Sequence, residues 1–78
     1  MNASVEKAFT NFKQHFQPAY SIMESDEYYS TKEIYDRILD ITGDMELTHS
    51  QVYEMLELSG FTYDYVMGEF KWLLKNIS

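Results

Sequence analysis

The chain has 78 residues, 45% of them hydrophobic and 17% aromatic, which is enough for one compact domain over residues 1–78 and too few for two. Its 13 acidic and 6 basic residues give a formal charge of −7, which disfavours nucleic acid as a partner, and the lack of cysteine excludes disulfide bonds and thiolate metal sites. The sequence has neither a signal-peptide pattern nor the roughly 18 successive apolar residues of a membrane span. We therefore expect a soluble, cytoplasmic protein without membrane contact.

The first segment with a regular pattern, residues 4–16, is predicted to be an amphipathic helix because its apolar residues recur every three or four positions. They are Val5, Ala8, Phe9, Phe12 and Phe16. Ser4 is placed to cap this helix, and Pro18 ends it, because proline lacks an amide hydrogen and disfavours helical angles in the preceding residue. Residues 20–29 are polar and are predicted to be a loop, so that residues 1–29 form an N-terminal helix plus loop.

Two capping-box sequences predict where the next two helices begin. Ser30 is followed by Glu33, and Thr48 by Gln51, so that each pair can satisfy free amides at a helix start. Gly43 is well placed to close the second helix in a left-handed conformation. The predicted inner faces consist of Ile34, Tyr35, Ile38 and Ile41 in the second helix, and of Val52, Met55, Leu56 and Ser59 in the third.

Residues 62–77 fit two interpretations. Their apolar residues recur every three or four positions, which favours a fourth helix capped by Thr62. These residues are Tyr63, Val66, Phe70, Leu73 and Ile77. In the alternative, Phe70, Trp72 and Leu74 alternate along a strand and Gly68 lies in a hairpin turn, as in the two-stranded wing of a winged helix. We predict an all-α domain of three or four helices, with the winged helix as the alternative.

The segment that joins the third and fourth predicted helices carries the residues of a known motif. Gly60 lies at a turn glycine, Phe61 at the apolar residue that follows it, Thr62 at a helix cap and Val66 at an inward anchor. With these residues, positions 48–74 resemble the DNA-binding helix-turn-helix family, particularly its lactose-repressor-like branch. Residues 30–78 would then form a helix-turn-helix-like core.

The resemblance implies a DNA-binding regulator, but its base-reading positions are not matched. They fall on Tyr63, Asp64, Met67 and Gly68, and none of these makes the bidentate contacts that read base edges. The remaining DNA contacts under this hypothesis are Tyr63, Asp64, Lys71 and Lys75, with help from Lys7 and Lys13. This composition fits better a helix-turn-helix-like unit that binds a protein instead of DNA.

The negative charge is concentrated in the middle of the chain. The segment from Glu24 to Glu57 contains ten carboxylates and only two basic residues, Lys32 and Arg37, so its net charge is −8. Such a field favours a basic partner, although a merely solubilising acidic face is an equally simple interpretation. A further alternative is that the carboxylates imitate phosphates and inhibit a nucleic-acid-binding protein.

No arrangement of residues indicates catalysis, so we predict no enzymatic activity and no cofactor. His15 and His49 are the only imidazoles, and no nucleophile is tied to either by spacing. Asp40, Asp44 and Glu46 offer oxygen ligands near a glycine, but their spacing is not that of a calcium-binding loop, and no metal site is predicted.

The last segment is too apolar to be buried entirely by a small monomer, which predicts a protein interface. We place that interface at Tyr65, Met67, Trp72 and Leu74, with a second copy of the chain as the simplest partner. The sequence thus predicts a small regulatory or adaptor protein that acts by protein–protein interaction.

Overall fold

The computed structural model describes residues 3–77, and the side chains of residues 5–77. The three helices are α1 (Ala3–His15), α2 (Thr31–Thr42) and α3 (His49–Leu58). The four strands are β1 (Phe16–Pro18), β2 (Glu27–Tyr29), β3 (Tyr63–Val66) and β4 (Glu69–Asn76). The fold is therefore mixed α/β with one antiparallel sheet, and the all-α prediction is wrong. None of the helices in the described part of the chain has the length and apolarity that a membrane span requires.

The first helix forms where its apolar periodicity predicts it. Val5, Ala8, Phe9 and Phe12 are all buried, and they lie on the side of α1 that faces the core. Phe16 is buried as well but begins β1, so the helix ends at His15. The proposed cap, Ser4, lies outside the side chains that the structure describes.

Both capping boxes are present in full. The Ser30 side chain accepts a hydrogen bond from the Glu33 amide while the Glu33 carboxylate accepts one from the Ser30 amide, and Thr48 and Gln51 repeat the arrangement at α3. Gly43 closes α2 with a φ of 65°, and its amide donates to the carbonyl of Leu39. These boundaries follow from the sequence because every partner lies within a few residues.

The predicted fourth helix does not exist, because residues 63–76 form the hairpin of β3 and β4. Tyr63 pairs with Trp72 and Tyr65 with Phe70 in antiparallel register. The turn residues Met67 and Gly68 have φ values of 55° and 82°, and positive φ at both positions is the signature of a type I′ turn. The alternative interpretation of residues 62–75, a hairpin with Gly68 in its turn, therefore describes this segment.

Burial explains why the strand is preferred to the helix. A helix over these residues would place Trp72 and Leu74 off the apolar stripe, yet both are fully buried in the structure. In β4, the two side chains lie on the same face and reach the core together. The strand thus buries the large apolar groups that a helix would leave at the surface.

Strand β4 holds the sheet together because it pairs with all three other strands. Phe16 of β1 lies opposite Asn76, and Tyr29 of β2 lies opposite Trp72. Residues 27–29, which were predicted to be loop, are therefore a strand, and the N-terminal segment is joined to the C-terminal one. Short strands of this kind have no periodic pattern that reveals them in a sequence.

The helices pack against one side of this sheet around a single hydrophobic core. Its fully buried members include Val5, Ile34, Ile38, Val52, Leu56, Trp72 and Leu74. The Trp72 indole N–H donates to the hydroxyl of Thr31 over 2.8 Å, which satisfies the polar atom of the largest buried side chain. Thr31 is the first residue of α2, so this bond also ties β4 to that helix.

Candidate protein-interaction surface

The hairpin and α3 together display a continuous cluster of aromatic rings. The β3–β4 register places Tyr63, Tyr65 and Phe70 on one face of the hairpin, and Tyr53 of α3 lies beside them. Ring centroids are 4.1 Å apart for Tyr63 and Phe70, and 6.3 Å apart for Tyr65 and Phe70. Aromatic rings at about this spacing stabilise one another, so the cluster forms a connected platform.

The outer part of this cluster is open to solvent. Tyr65 is 69% exposed and Met67, at the tip of the turn, is 98% exposed. Tyr53 and Phe70 are half-buried. We define the aromatic hairpin surface as these four residues together with Tyr63.

The other two predicted interface residues are not part of this surface. Trp72 and Leu74 are fully buried within the chain, and the ring of Trp72, on the same hairpin face as Tyr63, contacts the rings of Tyr53 and Tyr63. They support the surface and cannot contact a partner directly, so the surface proposed below excludes them. The sequence pattern did not separate the two groups because all four residues lie in one aromatic-rich segment.

The platform is joined to an acidic helix face through the hydroxyl of Tyr53. Its hydrogen bond with the Tyr63 hydroxyl, followed by burial and by the Glu57 carboxylate nearby, raises the pKa of Tyr53 to about 12. The phenol is therefore neutral at physiological pH. A carboxylate thus lies directly at the edge of the ring cluster.

A shallow recess of about 550 Å³ runs along α3 beside the platform. Its lining consists of Thr31, His49, Ser50, Tyr53, Glu54 and Glu57. The His49 ring packs against Tyr35 with 4.3 Å between centroids, which fixes one wall. The recess therefore combines an aromatic ring with two carboxylates, a combination that suits a cationic side chain.

The residues proposed to contact DNA do not form a positive surface. Lys71 donates to Glu33 at 2.7 Å and lies 3.4 Å from Glu69, and its side chain is only 19% exposed. Lys75 is four residues further along β4, about 13 Å away at the rise of a strand. Tyr63 is packed into the ring cluster, and Asp64 adds negative charge opposite Lys71. The helix expected to carry these contacts is a strand, so no reading helix presents them.

The remaining candidates for chemistry do not converge either. Among residues 5–77, no group of three or more histidine, aspartate or glutamate side chains is arranged to hold a metal ion. His15 ends α1, whereas His49 begins α3. The Asp44 carboxylate accepts a hydrogen bond from the Glu46 amide, which is the ordinary role of an aspartate in a turn.

Comparisons with protein-family models, with curated proteins and with solved structures find no match to this chain. Function must therefore be inferred from the surface itself.

Sequence reasoning placed only Tyr65 and Met67 of the aromatic hairpin surface in the interface and missed Tyr53 and Phe70, while Tyr63 was predicted only as a DNA contact. Tyr53 lies next to the buried Val52 on a short helix, and nothing local shows that its ring meets the hairpin. Phe70 was assigned to the inner face of a helix that does not form. The alternation of aromatic residues on both sides of Gly68 was the available signal, since a two-residue turn there brings them onto one face.

Proposed function

We propose that this chain is a non-enzymatic adaptor or regulatory protein whose aromatic hairpin surface and acidic α3 face bind a basic segment of a partner protein. The observation that carries the proposal is that Tyr53, whose ring packs against the hairpin rings, lines one recess together with the carboxylates of Glu54 and Glu57. Aromatic rings attract cations through their faces, and adjacent carboxylates add direct charge pairing.

The composition of the surface supports a protein partner. Tyrosine, phenylalanine and methionine are enriched in the buried centres of interfaces, and tyrosine is frequent among the residues that contribute most to binding. Tyr65 and Met67 project from the outer end of a hairpin, where a partner can reach them without rearrangement of the core. The platform is fixed by ring contacts, so little conformational entropy is lost on binding.

Backbone strain at the turn supports the same site. A type I′ turn favours asparagine or glycine at its first central position, because other residues are strained at positive φ. Met67 occupies that position with a φ of 55°. A large, fully exposed apolar side chain held in a strained conformation fits a role in contact better than a role in folding.

Charge supports a basic partner. The chain carries a formal charge of −7, and Glu54 and Glu57 line the recess beside Tyr53. Lysine or arginine side chains would be drawn to this face before contact and held there afterwards. Two of the other carboxylates are less available, because Glu33 is paired with Lys71 and Asp36 with Lys32.

A titration followed by NMR tests the proposal with defined probes. The probe is a pool of 12-residue peptides made of lysine, arginine, leucine and tryptophan, and the reference pool has glutamate in place of the basic residues. We expect the basic pool to shift the amide signals of residues 53–57 and 63–70, and the acidic pool to shift none. Equal effects of both pools, or shifts confined to other residues, would contradict the proposal.

The chain offers closely matched control variants. Tyr65→Ser with Met67→Ser should weaken binding of the basic pool by tenfold or more, roughly the effect of removing interface anchors. Tyr20→Ser with Met23→Ser removes side chains of the same types at 70% and 94% exposure in the loop before β2, and should leave binding unchanged. Equal losses of peptide binding in both double variants would show that nonspecific hydrophobic adsorption, and not this surface, is responsible for binding.

Two other kinds of partner, a second copy of the chain and duplex DNA, can be detected by measuring the solution mass and the electrophoretic mobility of DNA. A second copy of the chain would appear as a doubled solution mass that the Tyr65→Ser and Met67→Ser variant reduces to the monomer. Duplex DNA would appear as salt-sensitive retardation at low ionic strength. Either result would replace the basic polypeptide as the partner.

A further inference from the structure

A second recess, on a different part of the molecule, lies between α1, α2 and the end of β4. Its volume is about 460 Å³, within the range of roughly 300–1,000 Å³ that small-molecule sites occupy. It shares no residue with the aromatic hairpin surface, so its role does not depend on the function proposed above.

The recess has an apolar floor and two exposed apolar walls. Phe12, Phe16 and Ile38 form the floor and are buried in the hydrophobic core. Ile41 of α2 and Ile77, just after β4, form walls that are 53% and 46% exposed. An apolar group that fills the space between the two isoleucines would remove both from water, which is the main driving force available here.

One cation lies at the rim of this apolar space. Arg37 is the only arginine of the chain, and its guanidinium lies 5.4 Å from the ring centroid of Phe16 and 5.5 Å from that of Tyr29. Cation–π contact with these two nearly perpendicular rings restrains the guanidinium without pairing it to a carboxylate. The side chain is thus held ready for a planar anion.

Arg37 differs from the paired cations of the same structure. Lys32 and Lys71 each form an ion pair with a carboxylate, whereas across residues 5–77 Arg37 has no carboxylate oxygen within 4.0 Å of its guanidinium nitrogens. Its charge is therefore open to an external partner. Asn11 and His15 of α1 also line the recess and add polar side chains that can bind an anion.

The surroundings limit the charge of such an anion. Asp36 and Asp40 lie with Arg37 along the neighbouring groove of α2, and the chain as a whole is strongly negative. A polyphosphate would be repelled by this field, whereas a single carboxylate matches the guanidinium in shape and charge.

We propose that this recess binds a small amphipathic carboxylate, an organic acid with one negative charge and an apolar tail. The carboxylate meets the guanidinium of Arg37, and the tail lies on the phenylalanine floor between Ile41 and Ile77. Recognition therefore needs both ends of the ligand.

Octanoate is a suitable probe, with 1-octanol and octylammonium as probes of the same tail length. In NMR titrations of the full chain, octanoate should shift the amide signals of Asn11, His15 and Ile77 in a saturable way. Octanol should bind at least fivefold more weakly, and octylammonium should not saturate, because neither supplies a charge-assisted bond to arginine. Octanol binding as tightly as octanoate, or octanoate shifts at other residues only, would overturn the proposal.

Substitutions test the two halves of the site separately. Arg37→Gln should weaken octanoate binding about tenfold, as expected for loss of a charge-assisted hydrogen bond, while Lys32→Gln on the same helix should change it less than twofold. Equal effects of the two variants would overturn the role of Arg37. If Arg37→Gln fails to fold, Ile41→Ser decides: it should weaken octanoate and octanol alike, whereas Leu58→Ser on α3 should weaken neither.

Discussion

The two ends of the hairpin formed by β3 and β4 carry similar side chains in opposite environments. At the inner end, Trp72 and Leu74 are completely buried, whereas the hairpin beside the outer end carries Tyr65 and Met67, which are mostly exposed. The difference lies in the neighbours of the strand. Around Trp72, β2 and β3 pair with β4 and the helices cover one face, whereas the tip of the hairpin has only its partner strand. An aromatic residue of this hairpin is therefore buried or exposed according to what packs against it.

The largest effect should come from truncation at the inner end. Trp72→Ala removes the largest buried side chain and the hydrogen bond to Thr31, and should cost about 3–5 kcal/mol in the free energy of unfolding. That is about the whole stability expected for a domain of this size. Chemical denaturation should show Trp72→Ala largely unfolded in water. Tyr65→Ala, the matched truncation at the exposed end, should change stability by less than about 0.5 kcal/mol.

A smaller loss of stability should come from a substitution in the hairpin turn, and it should affect the hairpin tip more than the core. Gly68 has a φ of 82°, and a Cβ there would meet nothing within 4 Å, so Gly68→Ala acts through backbone strain alone and should cost about 1 kcal/mol. Hydrogen exchange should show faster exchange at residues 63–66 than in the unchanged chain. Amides of residues 72–74 should keep their protection. An equal loss at both ends would show that β4 opens as one unit.

The ion pair between α2 and the hairpin should produce a modest pH dependence. The hydrogen bond from Lys71, followed by that from the Ser30 amide, lowers the pKa of Glu33 below its ordinary value of 4.5. A carboxyl whose pKa is lower in the folded state stabilises the fold above its unfolded pKa, and this contribution is lost as the pH falls through the folded value. Stability should therefore decline below about pH 4.5.

Glu33→Gln should remove that part of the pH dependence, as measured by thermal unfolding between pH 3 and 6. The effect should stay below about 1 kcal/mol because Glu33 is partly exposed and water screens the pair. Asp36→Asn, which removes one carboxylate from the exposed pair with Lys32, is the control. The same flattening in both variants would show that general charge, and not this contact, sets the slope.

The smallest effect on folding should be a gain. Met67→Asn places a residue that tolerates positive φ at the first turn position, and should stabilise the chain by about 0.5–1 kcal/mol. Because the exposed methionine is lost, binding of basic peptides should weaken at the same time. A variant that is more stable and binds equally well would remove Met67 from the contact surface.

Much of the fold could be predicted where its interactions are local. The capping pair of Ser30 and Glu33, the left-handed Gly43 and the buried stripe of α1 were all identified correctly. Their partners are at most a few residues away, so a single sequence contains both halves of each interaction. The same holds for the start of α3 at Thr48.

The exposure of the four proposed interface residues could be predicted only in part. Tyr65 and Met67 are exposed as an interface requires, whereas Trp72 and Leu74 are buried. Composition cannot divide these residues because all are large and apolar. Which of them are buried depends on the register of β3 against β4 and on the position of α3. Neither can be deduced from the spacing of residues within the segment.

The sequence by itself determined the three helices, the absence of cysteine chemistry and the concentration of negative charge between Glu24 and Glu57. Only the tertiary structure decided that residues 63–76 are strands and which of their rings face solvent. Helix hydrogen bonds and caps join neighbours in the chain, but the backbone of β4 bonds to strands as distant as Phe16–Pro18. The apolar pattern of residues 63–76 is compatible with a helix or with strands. The neighbouring strands decide the outcome, because they pair with the backbone amides and carbonyls of β4 and because this arrangement buries Trp72.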